Sequence, residues 1–354
     1  MINLKKRLIF VFFIVLLIAV SGCISGKKDV TKSLEQIRTG TEGIVVNFVP
    51  NNPPDKVYVE GNTDENLNKF DVVLELRNKG AFPQPEDTYK APKGLLFLSG
   101  YDPNIIDFTV KEPKSEAKVV DLGRVALEGK STINPNGGQD IVSFEGKIIS
   151  NNLNVQKYEP VLLATVCYNY ETVAGPVVCI DPDPYSTLKE KKVCQVQDTV
   201  LSNQGAPIAI TRIDEEAFAA KTQFKITIKN VGNGDAMKPD SETKCNPIEG
   251  PKLEREDIDK VQLQGVIIRD KPLECGPFAD STTQTATTEK GIIRLINGEG
   301  FVVCKLNKED YGKSNTAFTT PLTIRLGYAY RTTAQRSVQI NKESGASGVA
   351  SGSN

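Results

Sequence analysis

Six cysteines after Cys23, a few acidic pairs and a complete lack of histidine define the chemistry open to this chain. Histidine is the usual base at neutral pH, the usual partner of a serine or cysteine nucleophile and the commonest metal ligand. Its absence excludes most hydrolytic and metal-centred designs. The six cysteines are Cys167, Cys179, Cys194, Cys245, Cys275 and Cys304. Zinc ligands usually come two to four residues apart, whereas the closest pair here, Cys167 and Cys179, is twelve apart. An even set so spaced reads as three disulfides of an oxidising compartment. If a turn centres on residue 173, Cys167 and Cys179 face each other across a hairpin. Cys275 and Cys304 both lie in strand-forming segments and are paired, which leaves Cys194 with Cys245.

The acids offer less. Asp181 and Asp183, in IDPDPY, could give calcium its carboxylate and carbonyl oxygens. No twelve-residue calcium loop surrounds them, and proline-held acidic turns are ordinary linker features. Asp102 and Asp107 flank a Pro-Asn turn and read the same way. Two carboxylates can hydrolyse a glycoside, and a Ser–Lys dyad can act as a nucleophile, both without histidine; no spacing here marks either. GNGD at 232–235 follows a strand but lacks the helix and the Lys-Ser/Thr ending of a phosphate loop, so it reads as a turn. KLEREDIDK at 252–260 reads as a solvated loop or a short exposed helix. No catalytic residue, metal or cofactor is expected.

The first residues assign a compartment. Lys5, Lys6 and Arg7 precede thirteen uncharged, almost wholly apolar residues at 8–20, then Val20-Ser21-Gly22-Cys23. A basic start, a short apolar run and small residues describe a secretory signal. Thirteen residues are too few to span a bilayer, which takes roughly 20. Val-Ser-Gly-Cys resembles the lipobox of prokaryotic lipoproteins, in which the cysteine accepts lipid. Cleavage before Cys23 would remove three positive charges, taking the net charge from −1 to −4. Such a balance offers no basic stripe for nucleic acid.

Period-two alternation dominates the chain beyond residue 40. Segments such as 43–49, 70–78, 94–99, 141–149 and 160–170, and again 206–213, 222–231, 260–269, 300–306 and 322–331, read as strands. Only 31–38 and 252–260 carry weak helical patterns. Many short strands with Pro/Gly turns predict an all-β protein, a sandwich or a barrel. The pattern repeats. FDVVLELRNKG at 70–80 matches TQFKITIKNVG at 222–232, with Asn78 over Asn230 and Gly80 over Gly232. ATVCYNYETVAGPVVCI at 164–180 matches IRLGYAYRTTAQRSVQI at 324–340, with Tyr168 over Tyr328 and Tyr170 over Tyr330. These offsets of 152 and 160 predict two tandem sandwiches. The expected order is a signal peptide (1–22), a lipidated tether (23–40), domain 1 (41–181), a proline- and charge-rich junction (182–199), domain 2 (200–341) and a small-residue tail (342–354). Each sandwich is expected to close on its own strands, and 41–181 to fold alone.

A strand ending in Asn-x-Gly with a terminal Tyr-x-Tyr strand resembles the immunoglobulin-like modules of archaeal and bacterial surface proteins, among them the cell-adhesion-related modules. TGTEGIVVNFVPNNPPDKVY at 39–58, VCYNYETVAGPVVCIDPDPYS at 166–186 and KVCQVQDTVLSNQGAPIAIT at 192–211 extend the likeness to uncharacterised archaeal lipoproteins with two such modules. The resemblance implies fold and location and transfers no catalytic or binding residue. The expectation is a non-enzymatic lipoprotein on the extracytoplasmic face of the cell membrane. It would bind an envelope protein or a surface polymer. Substrate capture for a transporter and carboxylate-dependent hydrolysis are the alternatives.

Overall fold

The computed structural model describes residues 37–59, 68–84, 92–115, 117–149, 153–186, 192–247, 250–280, 288, 290–311 and 316–342. The signal segment, Cys23, the tether up to residue 36 and the tail from residue 343 lie outside the described residues. The first half comprises β1 (Ile44–Phe48), β2 (Lys56–Val59), β3 (Lys69–Asn78), β4 (Gly94–Ser99), β5 (Ile106–Glu112), β6 (Val119–Asp121), β7 (Gln139–Ile148), β8 (Lys157–Tyr158), β9 (Val161–Ala174) and β10 (Val177–Ile180). The second comprises β11 (Thr199–Val200), β12 (Ile208–Ala217), β13 (Lys221–Asn230), β14 (Asp235–Met237), β15 (Lys260–Ile268), β16 (Lys271–Pro272), β17 (Glu274–Gly276), β18 (Gly291–Arg294), β19 (Glu299–Asn307), β20 (Phe318–Ser337) and β21 (Gln339–Lys342). The fold is all-β, as the alternation requires: in β3 every second residue from Phe70 to Asn78 is buried. The charge run at 252–260 forms only one 3-10 turn, Arg255–Asp257, before β15 begins.

The repeat is visible in the sheets. One sheet runs β1-β3-β7-β5 and a second β11-β12-β13-β19-β17. Ile44 opposes Asn78 in the first and Ile208 opposes Asn230 in the second, so Asn78 and Asn230 end equivalent strands in equivalent register. The third sheet belongs to both halves. Its path is β16-β15-β20-β9-β4-β6, and β9 pairs with β20 over fourteen residues. A single cluster of buried side chains runs through both halves.

That pairing corrects the expectation that each sandwich closes on its own strands. Lys157 opposes Asn341, Tyr168 opposes Tyr330, Tyr170 opposes Tyr328, and Ile180 opposes Phe318. The two residue numbers of every such pair sum to 498, so β8, β9 and β10 run along β21 and β20 as one antiparallel ribbon in one register. Asn169 opposes Ala329, its own equivalent 160 positions on. The ribbon therefore has a pseudo-two-fold axis between these residues. This is the geometry of an isologous interface, in which one surface meets its own equivalent, here within a single chain. The ends of the ribbon reach into the opposite half. β10 pairs with β20, and β21 pairs with β2 of the first half. Thr172 donates to the Ile208 carbonyl at 2.7 Å, and its equivalent Thr332 donates to the Ile44 carbonyl at 3.1 Å.

The disulfides follow the ribbon. Cys275 bonds Cys304, its cross-strand neighbour between β17 and β19. The other two pairings differ from the expectation: Cys167 bonds Cys245, and Cys179 bonds Cys194. No hairpin turns at residue 173. Cys167 and Cys179 lie twelve residues apart on the same side of one ribbon, where a strand rise of ~3.3 Å per residue separates them by roughly 40 Å. A disulfide needs Cα atoms within about 7 Å. Cys167–Cys245 ties the first half to the second, and Cys179–Cys194 clamps the end of the ribbon to the junction.

Candidate functional site

The paired repeat motifs meet each other. The Tyr170 hydroxyl donates to Asn78 Oδ1 at 3.1 Å and accepts from the Phe82 amide at 3.2 Å. Asn78 Nδ2 donates to the Phe82 and Leu127 carbonyls, and its Oδ1 also accepts from the Gly80 amide. In the second half the Tyr330 hydroxyl donates to Asn230 Oδ1 at 2.9 Å and accepts from the Gly234 amide at 2.8 Å. Asn230 Nδ2 reaches the Gly234 carbonyl, and the Gly232 amide reaches Asn230 Oδ1. GNGD is thus one side of this knot. A Cβ on Gly80 would lie 2.1 Å from the Tyr170 hydroxyl and 2.6 Å from the carbonyls of Glu42 and Gly205, which explains why glycine follows the asparagine.

Tyr168, Tyr170, Tyr328 and Tyr330 form a four-ring cluster on one face of the ribbon, with neighbouring centroids 5.6–6.3 Å apart. Edge and tilted contacts of this kind suit the quadrupoles of the rings. Burial pushes all four phenols above their ordinary range, Tyr330 to about 12, so they stay neutral, and the hydroxyls of Tyr170, Tyr328 and Tyr330 hydrogen-bond within the core. Tyr328 bonds Thr172 at 2.9 Å.

Two cavities offer chemistry. The first, of about 260 Å³, opens beside the pseudo-dyad and takes side chains from both halves. Phe82, Asn169 and Glu171 come from the first half, and Asp240, Gln262 and Gln264 from the second. Gln264 lies over Gly327, where a Cβ would come within 2.3 Å of its Nε2. Planar amides and acids beside an aromatic edge can hydrogen-bond and stack on a polar partner.

The second cavity, of about 460 Å³, opens at the junction. Asp181 lines it and is 5% exposed. Lys192 Nζ lies 2.7 Å from its Oδ2 and 2.7 Å from the Asp183 carbonyl. The Asp183 amide closes an Asx turn onto Asp181 Oδ1. A lysine ammonium therefore holds the oxygens proposed for calcium. No group of three or more potential metal ligands occurs among the described residues. Asp102 likewise closes an Asx turn onto Asn104, and Asp107 pairs with Lys118 at 2.8 Å.

Glu215 lines the same cavity and escaped the sequence reading. Only 6% of it is exposed, Oε2 accepts from the Cys179 amide at 3.4 Å, and Oε1 has no hydrogen-bond partner among the described residues. Burial first, and the neighbouring Asp198 carboxylate second, push its carboxyl up to about 7 against the pull of the amide. A readable signal existed: in β12 the inward phase set by Ile213 places Glu215, two residues on, inside as well.

No protein-family model and no curated protein matches the chain. Two solved structures share a faint likeness. One is the secreted serine protease VesC from Vibrio cholerae (10% identity, TM-score 0.18), over 87% of this chain and 53% of that one, so the chain spans about half its length. The other is the C-terminal domain of the Streptococcus agalactiae AgI/II polypeptide BspA (8% identity, TM-score 0.16), over 84% of this chain and 98% of that one. Overlaps this loose carry no argument about fold or activity. The three disulfides place the folded part in an oxidising compartment outside the cytoplasm. No helix among the described residues is long and apolar enough to cross a membrane.

Proposed function

We propose that this protein is a non-enzymatic lipoprotein of the cell surface, held by lipid on Cys23, that binds an envelope protein or surface polymer. The observation that carries the reading is the cleft beside the pseudo-dyad, built from both halves on a shared ribbon. A disulfide from that ribbon to the second half stiffens it. Rigid sheets suit binding because they hold polar side chains in place before the partner arrives. The likeness to two-module archaeal lipoproteins agrees with this reading, and the Val-Ser-Gly-Cys motif supplies the anchor. A second reading, capture of a small ligand for a transporter, draws support from the junction cavity. Mass spectrometry of the protein purified from its own membranes is expected to find residue 23 at the N-terminus with a lipid adduct. Cross-linking in cells is then expected to capture a partner that Gln264→Ala weakens. A soluble product with unmodified Cys23, or capture indifferent to changes in the cleft, would count against the proposal.

A further inference from the structure

The junction cavity is built to take positive charge. Among its lining residues, Asp181 is already matched by Lys192 at 2.7 Å. Glu215 is as deeply buried as Asp181, yet one of its oxygens has no partner among the described residues. Among the described residues, the neighbouring groups are engaged elsewhere, and Lys221 stands over the Phe218 ring at 5.5 Å. Asp198 accepts from the Glu215 amide at 3.4 Å and pairs its own carboxylate with Arg212. Tyr311, within electrostatic reach of Glu215 and Asp181, bonds Thr222 at 2.8 Å. Glu216 adds a further acid to the lining. The remaining wall includes Val196, Ala217 and Phe218. Tyr185, between the lining residues Pro184 and Ser186, is 70% exposed.

We propose that this cavity binds an organic ammonium group on a short apolar stem, with the cation at Glu215 and the stem along Val196, Ala217 and Phe218. Lys192 provides the internal precedent, since it is such a group, seated against a buried acid of the same cavity. A bare divalent cation fits poorly. Calcium seeks six to eight oxygens, and one unmatched carboxyl with an exposed neighbour cannot furnish them. An anion would meet Glu215 and Glu216. This inference is independent of the lipid on Cys23 and of the cleft.

The carboxyl titrates near neutrality because of its burial. An arriving cation favours its charged form, so binding below about pH 7 must release a proton and weaken as pH falls. The experiment is isothermal titration calorimetry of the full chain in non-ionic detergent, with n-pentylammonium and its neutral analogue 1-pentanol. Measurements at pH 6 and pH 8, each in two buffers of different ionisation enthalpy, count the protons. Pentylammonium is expected to bind at least about tenfold more tightly than pentanol, as a charge-assisted hydrogen bond warrants. It should bind more tightly at pH 8 than at pH 6, with proton release at pH 6. Glu215→Gln is expected to lose about that tenfold, while exposed Glu216→Gln changes affinity little. Glu215→Gln should itself keep the fold and gain stability above pH 7, because it removes a buried charge. If it fails to fold, the proton count on the unaltered chain decides. Equal binding of amine and alcohol, no proton release at pH 6, or full affinity in a folded Glu215→Gln would overturn the proposal.

Discussion

Residues 41–181, expressed alone in an oxidising compartment, are expected to show no cooperative monomeric unfolding. Coexpression with 182–342 is expected to restore a single transition. The fragment would lose more than a neighbour. β9 would give up fourteen paired residues along β20, β10 its pairing with β20, and β2 its parallel partner β21. Both cysteines would be orphaned, since Cys167 bonds Cys245 and Cys179 bonds Cys194. In a chain-entropy account such links are worth roughly 3–4 kcal/mol each, a large share of the 5–15 kcal/mol that holds a typical domain. Tyr168 and Tyr170 would lose the Tyr330 and Tyr328 rings beside them. Equilibrium denaturation followed by tyrosine fluorescence and circular dichroism reads the outcome. A fragment that unfolds cooperatively as a monomer would mean that the halves are independent.

Asn78→Ala is expected to be the most damaging single polar substitution, by about 4 kcal/mol. Removing the amide leaves two carbonyls, one amide and the Tyr170 hydroxyl short of a partner in the interior, at about 1–3 kcal/mol for each group that water cannot reach. Asn78 is 0% exposed. Asn230→Ala breaks the equivalent knot, but Asn230 is only half-buried and its Nδ2 serves one carbonyl. Its expected cost is about 2 kcal/mol, since water can replace part of what is lost. Urea titration of the two variants should preserve this order. Equal costs below about 1 kcal/mol would remove the knots from the list of features that hold the fold.

The strands were legible because one-sided burial writes itself as alternation, and the repeat because both halves use the same knot. Asn78 and Tyr170, 92 positions apart, were each visible as motifs; that they bond each other was not, since a single sequence does not state contacts. The ribbon was hidden for a more specific reason. Pro160 and Gly175-Pro176 interrupt the alternation where the ribbon runs straight on, and a proline that merely skips a ladder bond looks in sequence like one that turns the chain. Reading a turn near residue 173 produced the wrong partners for Cys167 and Cys179. Cys275 and Cys304 were paired correctly because each sits in a strand of the second half. β10 and β21, four residues each, are too short to show a period. Glu215 was missed because an acid on the inward phase of a strand is discounted unless the phase is followed past its last apolar residue.

The exchange of strand ends around a pseudo-dyad is the central claim, and disulfide mapping tests it most directly. The unreduced protein, digested with free thiols blocked, is expected to yield linked peptides joining Cys167 to Cys245, Cys179 to Cys194 and Cys275 to Cys304. Cleavage limited to Lys189 or Lys191 should leave the halves covalently joined in denaturant until reductant is added. Peptides joining Cys167 to Cys179 and Cys194 to Cys245, with halves that separate in denaturant on cleavage alone, would show a hairpin in the first half and contradict the shared ribbon.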